Sequence, residues 1–328
     1  MRICVFGAGS IGGNFATRLA GAGNEVSIVA RGAHLQAIQQ RGLTMISGER
    51  RLVAEVKASD RPADLGPQDA VLVTMKACSL PALAESVLPL LRRDTPVIFV
   101  QNGIPWWYGH GLGNRRPPPP DLSRLDPDGA LARTVGLERT IGAVVTSSNQ
   151  VIEPGVVHNI SPERNTLWVA ETDDRRSTRI TELRMTLKAA GIASPETTDI
   201  RYDVWHKLMA NLTGSTVCLM LAQPNTIQAT PMVNRLVRRA HAEALAVAAA
   251  HGVILDDSPD RRYGPNRVYP DHRPSILQDY ESGRSMEVEA IIRAPLAFAR
   301  SAGLDTPVLD TIESSCVSMA ASRGLYTL

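Results

Sequence analysis

The first twelve residues constrain this chain more than any other stretch of that length. Arg2–Phe6 is a short apolar run, and Gly7-Ala8-Gly9-Ser10-Ile11-Gly12 follows it without a spacer. An apolar run ending in closely spaced glycines reads as a buried strand that turns sharply into another element. Beyond Gly12 the apolar residues take helical spacing, with Phe15, Leu19 and Ala20 on one side, and residues 21–24 end that helix. Residues 25–30 (EVSIVA) are again strand-like. Strand, glycine turn, helix and strand make one βαβ unit, which commits the region to a parallel sheet covered by helices.

The rest of the N-terminal half continues that pattern. Residues 70–75 (AVLVTM) and 96–100 (PVIFV) read as further strands, with a helix-like stretch over 80–91 between them. Near-continuous apolar strands suit a parallel sheet buried on both faces. Thr140–Thr146 and residues 155–159 and 165–169 read as later strands, antiparallel at one edge. Residues 114–131 contain four consecutive prolines, Pro117 to Pro120, which neither a helix nor a central strand accepts. We read this as an extended surface insertion, the alternatives being an active-site lid or a docking element. From residue 197 the pattern turns helical, over 204–221, 231–251, 274–280, 286–302 and Pro307–Ser322. The predicted fold class is α/β: an N-terminal Rossmann-like doubly wound sheet over residues 1–196, and a C-terminal all-helical domain over 197–328.

Composition excludes several classes of function. A length of 328 residues suits two domains. Lys plus Arg is 35 and Asp plus Glu is 33, so the net charge of +2 gives no reason to expect nucleic acid or a membrane surface as partner. Aromatic residues are only 4%, too few for a base-stacking platform. Cys4, Cys78, Cys218 and Cys316 form no CxxC pair, and the seven His show no HxxxH grouping, so neither a metal site nor a disulfide framework is expected. No run approaches the ~20 apolar residues of a membrane span. The expected compartment is a reducing cytoplasm.

The glycine turn predicts a dinucleotide site, because it follows a strand and opens a helix. Gly7 permits the tight turn, Gly9 lets a pyrophosphate approach the backbone, and Gly12 lets helix and strand pack closely. With Ala8, Ser10 and Ile11 they form a helix N-terminus whose free N–H groups favour phosphate. At the end of the second strand, where Asp or Glu would accept from a ribose 2′-OH, stands Arg31. A guanidinium suits a 2′-phosphate, so the expected cofactor is NADP(H) over NAD(H); the competing reading is a solvated surface Arg. Lys76, just past the AVLVTM strand, is a further candidate contact at the carboxyl edge of the sheet.

Blocks along the whole chain carry a resemblance: GAGSIG at the start, TMKA at 74–77, QNG at 101–103, WHKLMAN at 205–211 and SILQDYESGRSMEVE at 275–289. With them the chain resembles the ketopantoate reductase (2-dehydropantoate 2-reductase) family. The resemblance implies NADPH-dependent reduction of a small 2-oxo acid, 2-dehydropantoate first, as in pantothenate biosynthesis. It implies Lys207 as general acid and Glu287 as the acid that holds the substrate hydroxyl and influences the lysine. It also implies Ser275 against the substrate carboxylate and Asn102 near the nicotinamide and the reacting carbonyl. The chemistry agrees: reducing a carbonyl needs a proton for the developing alkoxide, and Lys207 and Asn211 lie four apart on one helix, hence on one face. Ser275 also reads as an N-cap of the helix it opens.

One departure stands out. Relatives often carry a second Asn four residues after Asn211, and this chain has Ser215 there, a shorter group with a different donor pattern. The Trp106-Trp107-Tyr108 run after QNG either reshapes the mouth of a pocket or packs as an aromatic cluster anchoring the proline-rich loop. Two alternatives to ketopantoate reduction therefore stay open: a paralogous NADP-dependent oxidoreductase acting on another 2-oxo acid or an imine, and a non-catalytic NADPH-binding sensor. The resemblance leaves a homodimer open as the assembly.

Overall fold

The computed structural model describes residues 1–327, and the chain divides into two compact units. The first comprises Met1–Gln101 and Asp126–Ile200, the second Asn102–Leu125 and the chain from Arg201 onward. This differs from the expected division between residues 196 and 197, and it moves residues 102–125 out of the first domain. The reason is packing. Arg201 is fully buried, and its guanidinium donates to the Tyr108 carbonyl at 3.0 Å and to the His110 carbonyl. Trp205 Nε1 donates to the Tyr108 hydroxyl at 2.8 Å, and Phe298 meets the rings of Tyr108 and Trp205 edge-on. The Trp106-Trp107-Tyr108 run is thus a packed cluster at the start of the stretch that carries Pro117 to Pro120.

In the first unit the order is β1 (Arg2–Phe6), α1 (Ser10–Gly21), β2 (Glu25–Val29), α2 (Gly32–Arg41), β3 (Leu43–Ser47), β4 (Arg50–Ala54), β5 (Lys57–Ser59), β6 (Ala70–Val73), α3 (Pro81–Ser86) and β7 (Val97–Phe99). After residue 126 come α4 (Ala130–Thr134), β8 (Thr140–Thr146), β9 (Asn149–Glu153), β10 (Val156–Asn159), β11 (Thr166–Glu171) and α5 (Thr178–Ala189). The main sheet runs β11-β8-β7-β6-β1-β2-β5, with β1 between β2 and β6 in parallel register, Ile3 facing Val26 and Ala70. Only β11 is antiparallel, against β8. β8 is parallel to β7, and β10 lies in a second sheet of order β4-β3-β10-β9, so the expected antiparallel edge reduces to β11. Helix α1 packs on the strands of both sheets. It can do so because its first turns are small: a Cβ on Gly13 would lie 2.5 Å from Val157 Cγ2.

The second unit holds α6 (Ile200–Met209), α7 (Thr216–Leu221), α8 (Pro231–Ala250), α9 (Pro259–Tyr263), α10 (Ser275–Glu281), α11 (Ala294–Ser301) and α12 (Pro307–Ser322). A π turn at Ala210–Ser215 joins α6 to α7 as one rod, and a second at Glu289–Arg293 leads into α11. α12 packs on α7 and α8, burying Leu309, Ile312, Cys316 and Ala320.

Candidate active site

The glycine turn opens a cleft of about 580 Å³ at the carboxyl ends of β1 and β2. Gly7 adopts φ +104°, and its carbonyl accepts the Thr74 hydroxyl at 2.6 Å. A Cβ on Gly12 would fall 2.1 Å from the Gly7 oxygen and 2.4 Å from Thr74 Oγ1, so only glycine lets α1 start this close to the strands. Nothing lies within 4 Å of where a Cβ on Gly9 would project, and Gly9 lines the cleft together with Gly7 and Ala8. An open space beside backbone amides at a helix start fits a dinucleotide pyrophosphate. Ser10, Ile11 and Gly12 form the first turn of α1 behind that lining.

Arg31 caps α2 in extended conformation, is exposed, and lines the same cleft with Val29 and Ala30. Lys76 is half-buried and follows Met75, which lines the cleft, but Lys76 itself is not part of the lining. Three further groups shape the cleft. Thr74 clamps the Gly7 carbonyl. His34 lines the cleft and accepts the Gly155 N–H through Nδ1 at 3.0 Å; burial holds its imidazole below the ordinary 6.5, so it is neutral and able to accept. Val151, Ile152 and Glu153 of β9, with Pro154, complete the wall. His34 had a local signal, its three-residue spacing from Arg31; the β9 hairpin arrives from 120 residues away and had none.

The other candidate residues lie in the second unit, around its two π turns. Lys207 sits on α6 one turn ahead of the first, which carries Asn211 and Ser215. A π turn breaks the i→i−4 ladder, and threonine hydroxyls meet the carbonyls there: Thr213 Oγ1 donates to Met209 O at 2.6 Å and Thr216 Oγ1 to Leu212 O at 2.7 Å. Asn211 Nδ2 donates to Asn102 Oδ1 at 3.4 Å, so WHKLMAN and QNG meet directly. Asn102 is held because Ile104 N donates to the Ala290 carbonyl of the second π turn at 2.8 Å, and a Cβ on Gly103 would lie 2.3 Å from that oxygen. The two π turns touch, and α10 packs on the first.

Glu287 is buried at the head of the second π turn, with its carbonyl accepting the Ile291 N–H at 3.0 Å. Ser275 is the first residue of α10 and exposed; the cap position is Pro274, without a side-chain cap. Its expected N-cap role therefore fails, since proline at the cap already sets the entry of the chain. Among the described residues Lys207 pairs with no carboxylate. Burial, with the Arg262 guanidinium nearby, lowers its pKa from the ordinary 10.5. Arg262 is itself held by Asp257, whose side chain is 4% exposed and lies 3.5 Å from Nε2 of the fully buried His241. None of these three was singled out from sequence, because scattered charged residues carry no local pattern.

The chain is similar to known proteins over its whole length. The family model described as ketopantoate reductase PanE/ApbA matches residues 3–113, and its C-terminal companion matches residues 199–315. A 2-dehydropantoate 2-reductase of Mesorhizobium japonicum is 38% identical, with all of both chains covered. A putative ketopantoate reductase structure from Ralstonia solanacearum superposes with a TM-score of 0.87 at 30% identity, covering 99% of each chain. A 2-dehydropantoate 2-reductase from Geobacter metallireducens gives 0.83 at 28% identity, covering 97% of this chain and 99% of that one. With a cleft that fits a dinucleotide in the first unit and the other candidate residues gathered around two π turns in the second, the chain belongs to the ketopantoate reductase family and is an oxidoreductase acting on CH–OH.

Proposed function

We propose that the protein reduces a small 2-oxo acid to the 2-hydroxy acid with NADPH, and that 2-dehydropantoate is the substrate. The observation that carries this reading is the direct contact of Asn102 with Asn211, one helical turn from Lys207, which burial holds at a lowered pKa and which pairs with no carboxylate among the described residues. Bound in the Gly7–Gly9–Arg31 cleft, the cofactor supplies the hydride that goes to the carbonyl carbon. Gly7, Ala8 and Gly9, with the first turn of α1 at Ser10, Ile11 and Gly12, hold its pyrophosphate. Arg31 takes the 2′-phosphate, and Lys76 contributes positive charge beside it. Lys207 donates a proton from Nζ to the carbonyl oxygen as negative charge develops there. Asn102 and Asn211 orient that oxygen without adding charge, and Glu287 accepts from the resulting hydroxyl. Ser215 and Ser275 bind the carboxylate end of the substrate. We expect a homodimer, as the Staphylococcus aureus ketopantoate reductase that shares this fold is dimeric.

A panel of 2-oxo acids assayed by NADPH oxidation tests the reading. 2-Dehydropantoate is expected to give the highest kcat/KM, and Lys207→Ala to lower it at least 10²-fold. Unchanged turnover in Lys207→Ala removes the proton-donor role, and a preference for another oxo acid or an imine selects a paralogous activity. Glu153 is the carboxylate in the cleft lining. Arg31→Ala is expected to abolish the preference for NADPH over NADH, whereas Glu153→Ala leaves it in place.

A further inference from the structure

Glu287 and Met286 are buried, yet residues 281–285 just before them are exposed. Its backbone is held by the far C-terminus. After α12 the chain turns back, with Gly324 N donating to Ala321 O and Leu325 N to Ala320 O, both at 2.9 Å. The Leu325 carbonyl then accepts the Met286 N–H at 3.0 Å. Met286 is 1% exposed, so water cannot replace that acceptor. On the other side of Glu287, the Glu289 carboxylate accepts from Arg124 Nε at 3.0 Å and from the Tyr326 hydroxyl. That hydroxyl in turn accepts from Arg293 at 2.9 Å and Arg124 at 3.1 Å, and Arg124 also reaches the Thr327 carbonyl at 3.3 Å. Burial and the neighbouring Glu289 raise the Tyr326 pKa above the ordinary 10, so the hydroxyl remains a donor at neutral pH.

We propose that Tyr326 and Arg124 are positioning residues for Glu287, clamping the residues on either side of it through Leu325 and Glu289. The inference rests on the reading of Glu287 as a substrate-binding acid. Glu287 stands between two anchored neighbours, Met286 and Glu289, both tied to the same three-residue tail. A displacement of the order of 1 Å at such a group can cost up to ~10²-fold in rate, so a loosened tail is expected to be felt in turnover.

The test uses the full chain with Tyr326→Phe and Arg124→Gln, each alone and combined with Glu287→Ala. Hydrogen exchange over residues 286–291 is expected to accelerate about tenfold in each single variant, and unchanged exchange overturns the inference. In steady-state assays with NADPH and 2-dehydropantoate, kcat is expected to fall about tenfold while NADPH affinity, read by cofactor fluorescence, stays within about twofold. In the Glu287→Ala background the same substitutions are expected to change the rate less than about twofold, and equal losses in both backgrounds overturn the proposal. Arg124→Lys, which keeps a cation for Glu289, is expected to recover part of the rate. Should Tyr326→Phe not fold, the half-exposed Arg124 carries the same comparison. Accelerated exchange in an enzyme that turns over no 2-oxo acid would support the clamp and refute the assigned reaction.

Discussion

Glycines of the same motif have separable jobs. Gly12 is needed for packing, because a methyl there would collide with the Gly7 carbonyl oxygen at 2.1 Å, while Gly9 faces open space. Gly12→Ala is therefore expected to destabilise the protein by about 3 kcal/mol. Gly9→Ala should cost about 0.5 kcal/mol yet weaken NADPH binding at least tenfold. Thermal melting and cofactor fluorescence on both variants check this, and equal melting shifts would contradict it. Lys207 makes a second prediction. Burial disfavours its ammonium form, so its pKa lies below 10.5 and the acid form is lost as pH rises through the lowered value. The kcat/KM profile should fall on the alkaline side with a midpoint below 10.5. Arg262→Gln, which removes a nearby positive charge, should move that midpoint upward; a midpoint that stays or falls excludes the electrostatic role.

Long, strongly periodic elements were legible, and those with interrupted geometry were not. Pro307–Ser322 and Thr140–Thr146 stand where their periodicity placed them. β4 and β9 escaped notice because they are short and largely exposed, so they carry no apolar pattern. The two π turns have no signature in spacing either; at the first, the hydroxyls of Thr213 and Thr216 meet backbone carbonyls, a local bond that residue spacing does not announce. α9 is a short element held in place by charge. Its Arg262 pairs with buried Asp257 beside His241, and burial pushes the His241 pKa down to about 4. The sign follows: unfolded His241 takes a proton below about 6.5 while the folded form resists, so stability is lost as pH falls from there toward 4. Urea titrations at pH 7 and pH 4.5 are expected to differ by on the order of 2 kcal/mol more in the wild type than in His241→Gln.

The second unit is built from two separated stretches of chain. Without residues 102–125, the buried Arg201 would lose the Tyr108 and His110 carbonyls that receive its donors, and Trp205 would lose the Tyr108 hydroxyl. A fragment of residues 201–328 is therefore expected to lack a cooperative melting transition. The same fragment preceded by residues 102–125 on a flexible linker should regain one by circular dichroism. Cooperative melting of the short fragment would show that the inserted stretch is dispensable. The sequence by itself determined the parallel sheet, the glycine turn, the run of helices and the family, because each is written in local spacing or in contiguous blocks. It could not say that residues 102–125 leave the first unit, that the β9 hairpin walls the cleft, or that the C-terminal tail brackets Glu287. Those depend on contacts between residues 37 to 165 positions apart, where burial of Arg201, Gly13 and Met286 selects the partner and no local pattern announces it.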